Sequence, residues 1–178
     1  AIPIAERQII TLREKNKLLE SKLRELVEFG EENDAIGERV QRTALAVMKP
    51  QQLEELLGVI YYNLKEDFSV PHVAVRLWSD WDHPPIAEFK PASAEVQAFA
   101  GSLDQPYCSH QAMFETAEWF GEAGGLLKSY AYVPMRSDRV FGLLALASED
   151  TQRFYPGMGT LYLKRLGELI STSLARFV

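Results

Sequence analysis

Residues 4–49 contain no proline and carry an apolar pattern that a helix gathers onto one side. Ile2, Ala5, Ile9, Leu12, Asn16, Leu19, Leu23 and Leu26 step alternately by three and four, a heptad seam sustained over more than three repeats. At ~1.5 Å per residue such a helix is roughly 65 Å long, too long to be buried in a small domain. The pattern therefore predicts a coiled coil, with Ile9, Leu12, Asn16, Leu19, Leu23 and Leu26 as a homodimer interface. Asn16 is the one polar seam residue and falls on the a row, where paired asparagines in a parallel dimer fix register at some cost in stability. Lys15 at g and Glu20 at the following e pair across the dimer in that same register. The competing reading is a charged, solvent-facing helix folded back on its own domain. Ile10 and Leu18, both off the seam, give that reading weight.

After Leu26 the phase slips. Phe29, Asn33, Ile36, Val40, Thr43 and Val47 form a second seam three residues out of step, an insertion that overwinds a coiled coil locally. Gly30 and Gly37 loosen the same stretch, so the helix is expected to change partners here, from its twin to the following domain. Pro50 marks the break. The chain is thus expected to divide into a long dimerising helix, 1–49, and an α/β domain, 50–178.

Within the second part, Leu53, Leu56, Leu57, Ile60 and Leu64 make a short amphipathic helix, and 72–78 reads as a strand. Residues 86–89 suggest a second short strand, 94–100 a small helix, 106–109 an irregular or extended link, and 111–120 a helix ending near Gly121. The clearest β signal is the pair 129–135 and 140–148, joined by a loop of hairpin size. Residues 159–177 then place Leu163, Leu166, Ile170, Leu174 and Phe177 on one stripe of a last helix. That order predicts an α+β fold, an antiparallel sheet with flanking helices segregated to one side.

Several functions are set aside by composition. A net charge of −6 with no block of Lys and Arg argues against nucleic acid. The longest apolar run is far short of the ~20 residues of a membrane span, and no secretory leader opens the chain. Cys108 is the single cysteine, so no intramolecular disulfide forms and a reducing, cytoplasmic setting is favoured. The chain opens on Ala-Ile-Pro without an initiator Met and is read as lacking a segment before Ala1.

The hairpin 132–146, YVPMRSDRVFGLLAL, resembles that of GAF domains, in which one strand ends in Val-Pro and the next carries Gly-Leu-Leu-Ala-Leu. Segment 148–160, SEDTQRFYPGMGT, and a leading helix bearing Glu32-Asn33-Asp34 and Glu38-Arg39 are similar to those of the bacterial DUF484 family, whose members are GAF-like. The likeness runs over nearly the whole chain. It implies an α/β sandwich, dimerisation through the leading helix and a small-molecule pocket between sheet and loops, and it implies no activity. Gly142 fits a strand position of close backbone approach, and Pro134 the end of a strand.

Few residues point to chemistry. Gly157-Met158-Gly159 lacks the third glycine of a dinucleotide fingerprint, position 162 being Tyr162, and also lacks the Gly-Lys-Ser/Thr of a phosphate loop. Cys108 and His110 are a nucleophile and base on one side of an extended segment, with Asp104 as a third group. A buried structural cysteine is the plainer reading. The pair is short of zinc ligands, because His72 and His83 lie on a distant strand and loop. No catalytic residue, cofactor or metal is therefore expected. Trp78, Trp81, Tyr107, Trp119, Tyr130 and Tyr132 gather around the sheet and its covering loops, as core filling or as a pocket lining. A pocket is expected between the sheet and 79–120, mostly apolar, bordered by Trp78, Tyr107, Cys108, His110, Trp119 and Tyr132. The function that follows is a non-catalytic sensory or regulatory module that homodimerises and binds a small-molecule ligand. The alternatives are an adaptor that binds a protein partner, its pocket vestigial, and a Cys/His-dependent enzyme. With no output domain expected after Val178, the signal is expected to leave through the dimer, the surface or a preceding segment.

Overall fold

The computed structural model describes residues 3–80 and 82–178, so Ile2 of the seam and Trp81 of the aromatic group lie outside the described residues. Contacts divide the chain into two compact units, Ala1–Arg39 and Val40–Val178. Helix α1, Ile4–Val47, runs unbroken through Gly30 and Gly37, since no proline removes a donor along it. Its last turns belong to the second unit, where Thr43 and Val47 are buried. Arg176 donates to the Val47 carbonyl at 2.9 Å and satisfies one of the acceptors orphaned at the helix end.

Helix α2, Leu53–Glu66, buries Leu53, Leu56, Leu57, Ile60 and Leu64 along one face. The sheet follows from β1 (His72–Leu77), β2 (Tyr107–Ser109), β3 (Ser129–Arg136) and β4 (Val140–Ser148), in the order β1-β4-β3-β2 with every pair antiparallel. The hairpin β3–β4 occupies the centre. Helices α3 (Ala94–Ser102) and α4 (Leu161–Leu174) and 3₁₀ segments at Ala87–Phe89 and Phe114–Leu126 complete the domain.

Strand alternation divides two cores. Val75, Leu77, Val133, Met135, Leu144, Leu146 and Cys108 face one layer, built from α2, α4 and the end of α1. Tyr130, Tyr132, Leu143, Ala145 and Ala147 face the other, where Val96 and Ala100 of α3 are fully buried. Helical elements therefore cover both faces, not one side as the order of elements suggested. The cause is legible in β4, where Phe141 to Ala147 is apolar throughout: a strand buried on both faces has no polar side to show.

Two glycines permit this packing. A Cβ on Gly142 would lie 2.7 Å from the Arg76 carbonyl oxygen and 2.8 Å from Leu77 Cδ2, so β4 approaches β1 only with hydrogen there. A Cβ on Gly167 would collide with Val133 Cγ1, so α4 rides directly on β3. Pro134 stands on β3 beyond Tyr132, the last residue paired with β2, and its missing N–H costs that ladder nothing.

Three other expectations are altered or refined. Residues 86–89 form no strand; Ala87–Phe89 is a 3₁₀ turn beside β1, tied down by the Tyr61 hydroxyl on Glu88 Oε1 at 2.7 Å. Residues 106–109, expected as an irregular or extended link, take the extended form and go further, Tyr107–Ser109 being a paired edge strand, β2. Segment 111–120 is not an α-helix. Phe114–Leu126 is 3₁₀, broken at Gly121 with φ 61°, and Thr116 sends both its N–H and its hydroxyl to the Met113 carbonyl, at 3.2 and 2.7 Å. Two donors on the i−3 carbonyl hold the tighter winding. Before α4, Met158 N–H bonds the Tyr155 carbonyl at 3.2 Å across Pro156 and a Gly157 with φ 85°, a type II turn that uses this glycine for its conformation.

Candidate functional site

Within the first unit the heptad seam lies open. Ile9 is 48% exposed, and Leu19, Leu23 and Leu26 are 63–66% exposed. A row of branched side chains this exposed is uncommon on a monomer's surface. Burial against a partner returns about 1.5–3 kcal/mol for each such side chain. Leu12 and Asn16 continue the row, also exposed.

Within the second unit the six residues expected around one pocket do not all share a face: Tyr107 pairs with Tyr132 and both rings meet Phe99, but Cys108 faces away. Trp78, Trp119 and Tyr132 pack in the core against α3, whereas Cys108 belongs to the core on the opposite face. Tyr107 and His110 are exposed. Tyr132 is fully buried, and its hydroxyl accepts the Met113 N–H at 2.9 Å and meets Thr116 Oγ1 at 2.7 Å. Burial pushes its phenol up. Phe99 meets the same ring edge-on at 5.5 Å. The Trp119 ring carries the Arg76 guanidinium at 5.0 Å. Burial pushes the Cys108 thiol up, which disfavours the thiolate a nucleophile needs, and His110 Nε2 lies 3.1 Å from the Thr151 carbonyl oxygen. Among the described residues no three His, Cys, Asp or Glu are placed to hold a metal ion, and no helix is long and apolar enough to cross a membrane.

Concave surface near the expected position comes from other side chains. Trp78 borders a cleft of about 390 Å³ with Ser79, Asp80, Gln97, Arg139 and Val140. Its indole N–H is held by the Val140 carbonyl at 3.1 Å, and an Asp80–Arg139 pair at 2.6 Å closes one side. This cleft is polar where an apolar one was expected. A second cleft, of about 240 Å³, lies along the open end of β3, where Arg136, Lys164, Glu168 and Asp104 bring opposite charges together over Val133 and Pro134. Neither set could be read from spacing, because each draws on three or more separate elements. A third cluster lies beside β1. The Tyr61 phenol is pushed up by burial and further by its bond to the Glu88 carboxylate, and the nearby Arg76 guanidinium is lowered by burial.

The family described as "Protein of unknown function, DUF484" matches residues 1–178. The chain belongs to the DUF484 family. Among solved structures, this DUF484 protein is similar to the GAF domain of the potassium sensor histidine kinase KdpD from Escherichia coli. The TM-score is 0.50 at 14% identity, and the match covers 79% of this chain and 93% of that one. At that identity the likeness establishes the GAF-like fold and nothing of the chemistry. Among curated proteins no match is found.

Proposed function

We propose that this DUF484 protein is a non-catalytic regulatory module that homodimerises in parallel through α1. The observation that carries the reading is the open seam, in which Leu19, Leu23 and Leu26 face solvent in the single chain at heptad spacing. Sedimentation equilibrium tests it: the whole chain is expected to be a dimer, and the chain without residues 2–26 a folded monomer. A monomeric whole chain, or cross-links joining opposite ends of two helices, would refute it. The absence of catalysis is supported by the buried, proton-retaining Cys108 and by the engagement of His110 elsewhere.

A protein-binding adaptor is the second reading. It is favoured by the burial of Tyr132, Val96 and Ala100 between sheet and covering layer and by the Tyr132 hydroxyl being spent on Met113 and Thr116. Small-molecule sensing has the Trp78 cleft as its place. Native mass spectrometry of freshly purified protein separates the two. A retained small molecule supports sensing, and a bare chain mass supports the adaptor.

A further inference from the structure

We propose that the segment 91–127 presents a docking face for a basic, Arg- or Lys-bearing stretch of a partner protein, anchored on Tyr107, Phe99 and Phe114. The proposal rests on the adaptor reading and gives the partner its chemistry. Phe99 stands between the other two rings, 5.7 Å from Tyr107 edge-on and 6.0 Å from Phe114, and is rooted on the buried Tyr132. Tyr107 is 41% exposed and Phe114 53%. The group is thus continuous with the core on one side and open on the other.

Phe114 holds its ring there from a left-handed backbone, φ 54°, a conformation that a bulky side chain avoids. Its neighbours enforce it. The Met113 N–H bonds the Tyr132 hydroxyl, Thr116 is tied back to Met113 and Tyr132, and Glu115 accepts from both the N–H and the hydroxyl of Ser93 at 2.8 Å. Strain maintained by pinned flanks, ending in an exposed aromatic ring, points to a use for the ring rather than to packing.

Charge selects the occupant. Of the chain's 25 carboxylates and 19 Lys and Arg, segment 91–127 holds five carboxylates and none of the cations, so the remainder is near neutral. Glu95 is one helical turn from Phe99, and Glu115 follows Phe114 directly, whereas Asp104 shares its cleft with Arg136 and Lys164. Aromatic faces attract guanidinium and ammonium groups, and surrounding carboxylates both steer and pair them.

The test is fluorescence anisotropy of the whole chain with labelled oligoarginine and, separately, length-matched oligoglutamate, at low and high salt. Oligoarginine alone is expected to bind, more weakly at high salt. Phe114→Gly is expected to weaken binding about tenfold while the melting midpoint holds or rises, since glycine adopts the left-handed conformation freely. Tyr107→Ser provides a second variant at an exposed position. No oligoarginine binding, or binding indifferent to both substitutions, overturns the proposal. So does a loss of self-association in Phe114→Gly, which would make the occupant a second copy of this chain. A retained small molecule in the native mass spectrum would count against the adaptor reading alone, whereas failed peptide binding removes only this face.

Discussion

The Tyr132 hydroxyl shows how much of this domain hangs on single buried polar groups. Tyr132→Phe would leave the Met113 N–H without its acceptor and take from the Thr116 hydroxyl one of its two partners, the Met113 carbonyl remaining, and is expected to destabilise the domain by about 1–3 kcal/mol in urea denaturation. Glu115 gives a pH signature. Burial alone would raise its carboxyl, but bonds from the Ser93 backbone, its own N–H and the Ser93 hydroxyl hold it below the ordinary carboxylate range. A folded-state value lowered in this way contributes stability that is complete above the unfolded value and lost as pH falls through the folded one. The melting midpoint is therefore expected to fall on acidification below the usual carboxylate range, and to fall less steeply in Glu115→Gln. The same bonds let Ser93, which also accepts the Val96 N–H as N-cap of α3, borrow its carboxylate from 22 residues away. Gly142 and Pro134 were legible because their reasons are local to a strand. Ser93 and Glu115 were not, because a partner 22 residues distant leaves no mark in spacing.

Elements were legible in proportion to their periodicity. The two amphipathic helices α2 and α4 and the central hairpin carry long repeats of 3.6 or strong β composition, and they fall within a few residues of the expected ranges. The 3₁₀ winding of Phe114–Leu126 was not legible, since it depends on Thr116 finding the Met113 carbonyl while Tyr132 holds both. The second helical layer was missed because the order of elements was read as segregating the helices to one side. At this scale the proposed dimer makes its sharpest prediction. Asn16→Leu is expected to tighten association while loosening register or stoichiometry, because the polar a position trades stability for a single alignment. Sedimentation equilibrium and native mass spectrometry together read both effects: tighter association at unchanged stoichiometry and register would show that Asn16 does not set the alignment.

For the molecule as a whole, the acidic balance predicts no measurable binding to a random DNA duplex at physiological salt, and salt-sensitive micromolar binding in a mobility-shift assay would contradict it. The candidate site was the least legible part. Trp78, Tyr107, Trp119, Tyr130 and Tyr132 lie by the sheet as expected, but which face each one meets follows from strand register, and Cys108 falls on the opposite side from its neighbour Tyr107 for that reason alone. The strand order has a further consequence, for synthesis of the chain. Among the described residues the first strand, His72–Leu77, pairs only with Val140–Ser148, the last strand to be made. At about 5–20 residues per second, the ribosome leaves that apolar strand unpaired for on the order of several seconds. The nascent domain can close its sheet only when the hairpin arrives to insert between two waiting edges. Until then its early strand is a hazard for misassembly, and slowing translation after Leu77 is expected to lower the yield of folded protein more than slowing it after Ser148.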